Sequence, residues 1–223
     1  MKARQTGFTL VEIAIVLVII GLLLGGILKG QEMITQAKIK NVIADFSGVS
    51  AAYHGYQDRY RAIPGDDPNA ATRWAVAPAA TAGNGNGVVA GAYNSATATD
   101  ESRLWWDHLR RAGFVSGNGT QQPFNALTGL IGVQTGDGAA AIGPTMLNAA
   151  AGNGFVGLIM CSANLPDKIA IAVDTQMDDG ASNLGTVRAL LQTAPNPAIG
   201  AGQVSTPAYA ETSTNIYTIC RAL

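Results

Sequence analysis

Charge is scarce in this chain. Asp, Glu, Lys and Arg make up 13% of its 223 residues, against about 25% in an ordinary globular protein. Basic residues number 14 and acidic ones 15, a net charge of −1. No basic stripe of the kind that marks nucleic-acid binders exists, so no nucleic-acid partner is indicated. Cysteine and histidine occur twice each, and neither His54 nor His108 lies near a cysteine in sequence, which speaks against a Cys/His metal centre. G-x-S-x-G, the P-loop and H-E-x-x-H are all missing, so no catalytic motif is present. An enzyme would need a site assembled from distant residues, such as His54 or His108 beside a carboxylate in a closed pocket.

What the chain does have is one long apolar run. Phe8 to Leu28 spans 21 residues with a single ionisable side chain, Glu12. As a helix it reaches roughly 30 Å, the thickness of a bilayer core. Lys2 and Arg4 precede it and Lys29 follows. A carboxylate at mid-membrane costs on the order of 2.5–3.5 kcal/mol, so Glu12 calls for a partner. An ordinary signal peptide would offer small residues at a cleavage site after the apolar core, and Gly25-Gly26-Ile27-Leu28-Lys29-Gly30 does not. A plain anchor would have no need of Glu12.

The residues G-F-T-L-V-E, from Gly7 to Glu12, followed by an unbroken apolar helix, resemble the class III leader of type IV prepilins and of the pseudopilins of type II secretion. The resemblance covers residues 1 to about 35. It implies that a membrane-embedded prepilin peptidase cuts between Gly7 and Phe8 and that Phe8 is then N-methylated. Glycine before the cut suits a protease that must approach the backbone. Cleavage would create an amine at Phe8, and the family reading gives Glu12 the task of attracting the N-terminus of a neighbouring subunit during assembly. A pair within one chain would satisfy the same electrostatics.

On this reading the domains are a cleaved leader (1–7), a long helix (8–60) that crosses the membrane over about 8–28, and a globular domain (61–223). The leader charges favour a cytoplasmic leader, placing the bulk outside the bacterial inner membrane, in the periplasm or on the surface. Losing Lys2 and Arg4 moves the formal charge of the side chains from −1 to −3.

Beyond the apolar run, Ile39, Val42, Phe46, Val49, Tyr53, Tyr56 and Tyr60 recur three and four apart, one stripe on a continuing helix. Pro64 and Gly65 are expected to end it. Gly21, Gly25, Gly26 and Gly30 cost about 1 kcal/mol each against alanine. They suit either close helix–helix packing or a stretch that loosens in a filament.

Residues 64–155 are rich in Gly, Ala and Asn and read as loops, as in GNGNG at 83–87 and the run from Gly136 to Gly143. The exception is Asp100 to Phe114, read as a short amphipathic helix. Asp100 or Ser102 caps it, Leu104, Trp105, His108 and Leu109 share a face, and Gly113 stops it. Trp74, Trp105 and Trp106 are assigned to the core, with a carbohydrate platform as the alternative. Strands are expected at Phe155 to Cys161, Thr186 to Leu191 and Ile216 to Cys220. Between the first two, Ile169, Val173 and Met177 suggest a helix after Pro166, although KIAIAVD also alternates like a strand. The fold class is α+β, pilin-like, with the long helix packed on an antiparallel sheet.

In an exported domain two cysteines pair, and a Cys161–Cys220 bridge resembles the carboxy-terminal disulfide loop of many pilins. Closing so long a loop is worth on the order of 4 kcal/mol in the chain-entropy model. Asp174, Asp178 and Asp179 beside Gly180 offer hard oxygens to calcium, which some major pseudopilins bind in this part of the fold. The competing reading is a helix-ending Asp-Gly turn. No other cofactor is expected.

The function expected from the resemblance is a structural subunit, a major or minor type IV pilin. The alternative is a type II secretion pseudopilin, with a membrane-anchored enzyme or a ligand-binding adhesin as a more distant reading. Implied partners are copies of itself and related pilins, the peptidase and methyltransferase, and an inner-membrane assembly platform.

Overall fold

A computed structural model of the chain describes residues 9–136, 154–200, 205–206 and 208–223. The leader, Gly7 and Phe8, and most of the Gly136 to Gly143 run lie outside the described residues.

Helix α1 runs from Leu10 to Tyr60. Two compact units divide within it, the first ending at Lys38 and the second running from Ile39 to Leu223. In the first unit the helix is apolar and its side chains are exposed, Leu10 by 90% and Leu22 by 73%. Among the described residues, nothing lies within 4 Å of the positions where Gly21, Gly25, Gly26 and Gly30 would carry a Cβ. The globular unit starts at Ile39 because the aromatic and aliphatic stripe of α1 is part of its core.

Ile39, Val42, Phe46, Val49, Tyr53 and Tyr56 are all buried, while Tyr60 is half-buried. Burying each such side chain is worth about 1.5–3 kcal/mol. The helix ends where Arg61 turns to φ 54°, its N–H donating to the Gln57 carbonyl at 2.8 Å. Pro64 therefore only forbids continuation.

Among the described residues the remaining elements are α2 (Ala70–Arg73), α3 (Glu101–Arg111), β1 (Ile131–Thr135), β2 (Leu158–Pro166), α4 (Asp167–Met177), β3 (Val187–Leu191) and β4 (Ile216–Ala222). The strands form one antiparallel sheet in the order β1-β2-β4-β3. The architecture is α+β and pilin-like. Alternation along the strands gives the sheet two apolar faces. Val133, Met160, Leu165, Ala189, Tyr217 and Ile219 join the stripe of α1. On the other face Ile159, Cys161, Ala163, Leu190 and Cys220 pack with Tyr93, Phe155 and Ile199. So the sheet is covered on both sides rather than only by the helix.

The structure revises several readings. The 64–155 segment is not all loop, for it holds α2 and strand β1. Gly132 hid that strand: a Cβ there would collide with the Tyr93 backbone, so close approach, not strand propensity, selects glycine. The strand expected at Phe155 to Cys161 starts at Leu158 and continues through polar Ser162 and Asn164 to Pro166. It tolerates them because Asn125 Nδ2 donates to Ser162 Oγ at 2.8 Å and to the Ala163 carbonyl at 2.7 Å. A register shift between Ser162 and Leu165 takes up Asn164 at φ 57°.

Helix α3 forms where expected and is anchored in the core by its tryptophans, but its burial extends beyond the expected face. Glu101, Ser102, Trp106 and Asp107 are buried along with the expected face. Asp100 sits at its N-cap but makes no side-chain cap bond, and accepts instead from Ser95 Oγ at 2.5 Å. Ser102 Oγ donates to the Ala92 carbonyl at 2.9 Å. The ambiguous 167–177 segment is helical.

Candidate assembly and ligand sites

Buried carboxylates organise the loops of the globular unit. Asp66 accepts from the N–H groups of Gly85 at 2.6 Å, Asn86 at 3.1 Å and Gly87 at 2.7 Å. Glu101 accepts from Asn84 N–H at 3.1 Å and Ala90 N–H at 2.9 Å. The GNGNG stretch is thus a shaped nest around anions supplied by the chain itself.

Asp174, Asp178 and Asp179 come together at the end of α4, with one ligand oxygen from each within 4.8 Å of the others. Asp178 sits at the C-cap, so the turn reading also describes this place. Asp178 Oδ2 accepts from the Thr186 and Val187 N–H groups, the latter at 2.9 Å. Asp179 Oδ1 accepts from Ala181 N–H at 2.8 Å. Asp174 is fully buried, and its Oδ2 accepts from the Tyr209 hydroxyl at 2.6 Å. Its Oδ1 is buried with no hydrogen-bond partner among the described residues. Burial pushes the Asp174 carboxyl above its ordinary range; the Tyr209 hydroxyl and the Gly180 N–H oppose the rise, and neighbouring Asp179 and Asp178 add to it. A hard cation would relieve both the orphaned oxygen and the crowded charge, so the donor set fits calcium.

Cys161 and Cys220 are bonded to one another. They stand directly opposite on paired strands β2 and β4, with Cα atoms 4.0 Å apart. The bridge therefore ties the two central strands of the sheet.

At the head of α1, Thr9 and Glu12 cap the helix. Glu12 Oε2 accepts from Thr9 N–H and from Thr9 Oγ1, each at 2.8 Å, and Glu12 N–H donates back to Thr9 Oγ1 at 3.3 Å. This is a capping box, two orphan donors satisfied reciprocally. A negative side chain also suits the positive end of the helix dipole. Glu12 Oε1 has no partner among the described residues. The sequence reading missed Thr9, although T-x-x-E before an apolar run is its signature.

Residues 2–28 match the family model described as the prokaryotic N-terminal methylation motif. The chain therefore begins with a prepilin-type motif. No curated protein and no solved structure matches the chain. Such a motif implies a membrane-anchored precursor that a prepilin peptidase processes and that is later assembled into a filament. Helix α1 is long and apolar enough to cross a membrane.

Of the two histidines weighed for catalysis, His108 has structural work. His108 is fully buried. Its Nδ1 accepts from Gly65 N–H at 2.9 Å and its Nε2–H donates to the Thr81 carbonyl at 2.8 Å. Burial lowers its pKa. Both ring nitrogens are spent on backbone, so the ring is a neutral latch with no free base. His54 is exposed on α1. Trp105 and Trp106 are fully buried and pack edge-on at 4.8 Å, which removes the carbohydrate platform.

Trp74 belongs to another cluster. The Arg73 guanidinium lies 4.1 Å from the Tyr60 ring and 5.1 Å from Trp74. Its Nη1 donates to Asp67 Oδ2 at 2.6 Å, and Tyr56 donates to the same oxygen at 2.7 Å.

Proposed function

We propose that this chain is a structural subunit of a type IV pilus or a related filament, cut between Gly7 and Phe8 and N-methylated at Phe8. The observation that carries the reading is Glu12, the single charge in the apolar segment, fixed by Thr9 with one oxygen left over. The new Phe8 amine of a neighbouring subunit supplies the cation that this oxygen lacks. In an apolar setting that attraction is strong and an unpaired carboxylate is costly. The capping box holds Glu12 at the end of the helix, so the acceptor is positioned before the partner arrives. The globular unit faces away from the cytoplasm.

The test is Glu12→Ala in the native host. The variant is expected to insert and lose its leader, yet to be depleted from filaments. Normal filament yield rejects the assembly role. Deleting the gene separates the finer readings under the electron microscope. Loss of all fibres identifies a major pilin, altered fibre number a minor one, and failed secretion with intact fibres a pseudopilin.

Calcium is the one ion this reading includes, held by Asp174, Asp178 and Asp179. The support is the buried, unpartnered Oδ1 of Asp174. Its role is structural, fixing the end of α4 beside the start of β3.

A further inference from the structure

We infer that Asn118 is a site of spontaneous deamidation, and that Asp66 protects the two other described Asn–Gly pairs from the same reaction. The pairs are Asn84–Gly85, Asn86–Gly87 and Asn118–Gly119, and all six residues are exposed. Solvent access therefore does not distinguish them. What distinguishes them is the glycine nitrogen.

The reaction needs that nitrogen free. The Gly119 nitrogen gives up its proton to water and attacks Asn118 Cγ. A bond forms between them, the Cγ–Nδ2 bond breaks, and Nδ2 leaves as ammonia. Water then opens the cyclic imide at either carbonyl, giving aspartate or isoaspartate at position 118. One water enters and one ammonia departs, with no oxidant or reductant required. Glycine suits this attack because it has no Cβ in the path.

At the first two pairs the nucleophile is engaged. Gly85 N–H donates to Asp66 Oδ1 at 2.6 Å and to the Asp66 carbonyl at 3.0 Å. Gly87 N–H donates to Asp66 Oδ2 at 2.7 Å. These are charge-assisted bonds, and the Asp66 carboxylate also opposes a developing negative nitrogen beside it. The asparagine side chains are held too. Asn84 Oδ1 accepts from Asn86 N–H at 2.9 Å, and Asn86 Oδ1 accepts from Val88 N–H at 2.8 Å.

At Asn118 the situation reverses. Among the described residues no acceptor takes the Gly119 N–H, and no partner holds the Asn118 side chain. A positive charge contacts this pair directly, since Arg110 Nη1 donates to the Gly119 carbonyl at 2.7 Å. A guanidinium there favours an anionic nitrogen. The product places a new carboxylate beside Arg110, in a loop that Arg110 also grips through the Gln121 carbonyl at 2.7 Å. A subunit that persists in a filament would accumulate this change with age.

The test is peptide mapping of the full chain in detergent micelles after incubation in mild alkali, read in heavy-oxygen water. The Asn118 peptide is expected to gain about 1 Da, plus the label, while the 84–87 peptide lags roughly tenfold or more. Peptides digested first and then incubated should convert at similar rates, which shows that the fold imposes the difference. Asp66→Asn is expected to speed conversion at Asn84 and Asn86; if that variant does not fold, the digest comparison still decides. Equal conversion at all three sites of the folded chain overturns the inference. So does an Asn118 that stays intact while its digested peptide converts.

Discussion

The Tyr56 hydroxyl, on the long helix, donates to Asp67 Oδ2 at 2.7 Å, and Arg73 donates to that same oxygen from the other side at 2.6 Å. One buried carboxylate thereby fastens the helix to the first loop that leaves it. The Asp67 side chain is fully buried, while that of Arg73 keeps 25% of its surface in solvent.

This arrangement predicts acid sensitivity. Burial alone would raise the pKa of Asp67, but hydrogen bonds from Arg73, Tyr56 and the Asn69 N–H outweigh it and the net direction is down. A carboxyl lowered on folding contributes stability above its unfolded value, 3.8, and loses it as pH falls through the lower folded value. Asp67→Asn is expected to cost about 1.5–3 kcal/mol at neutral pH and to flatten the acid limb below about pH 4. Tyr56→Phe should cost about 1 kcal/mol. Tryptophan fluorescence melts at several pH values check both, and an unchanged acid limb in Asp67→Asn refutes the assignment.

Asp174 is expected to behave in the opposite sense. Its carboxyl is raised, chiefly by burial. A raised acid weakens the fold at pH above its folded value and relaxes that burden as pH falls toward 3.8. With calcium chelated, Asp174→Asn should therefore raise Tm at neutral pH. Adding calcium should raise Tm of the parent chain and leave Asp174→Asn unchanged. A parent melt indifferent to calcium at millimolar concentration argues against the ion.

The Cys161–Cys220 bridge predicts a mass gain of about 2 Da on reduction and a loss of about 2–4 kcal/mol in the Cys161→Ser, Cys220→Ser double variant. Mass spectrometry and thermal melts test this. Because the bridge joins facing residues of β2 and β4, hydrogen exchange should accelerate first in those two strands. Free thiols in freshly isolated material contradict the pairing.

Much of the fold could be read from short-range pattern. The stripe from Ile39 to Tyr56 obeys the helical period, and each of its large residues is buried, because one face of a helix has one fate. Strands β3 and β4 were legible from short, largely apolar runs, rich in β-branched residues in β4. Strand β1 was not, because Gly132 is selected by the Tyr93 backbone, a neighbour far away in sequence. Helix α3 was placed correctly but misjudged in burial, since the loops that bury its polar side are distant and low in charge. The three clustered aspartates were visible as a row of letters. That Asp174 is buried and half-satisfied was not.

The sequence by itself determined the prepilin-type start, the lone carboxylate in an apolar helix and the stripe that continues it, because all three depend on residues within a few turns of one another. Tertiary structure alone decided which acids are buried, which face of the sheet each core occupies, and which glycine nitrogens are held. Those outcomes follow from dense packing of remote segments, where a few ångströms settle whether a polar atom meets a partner or none.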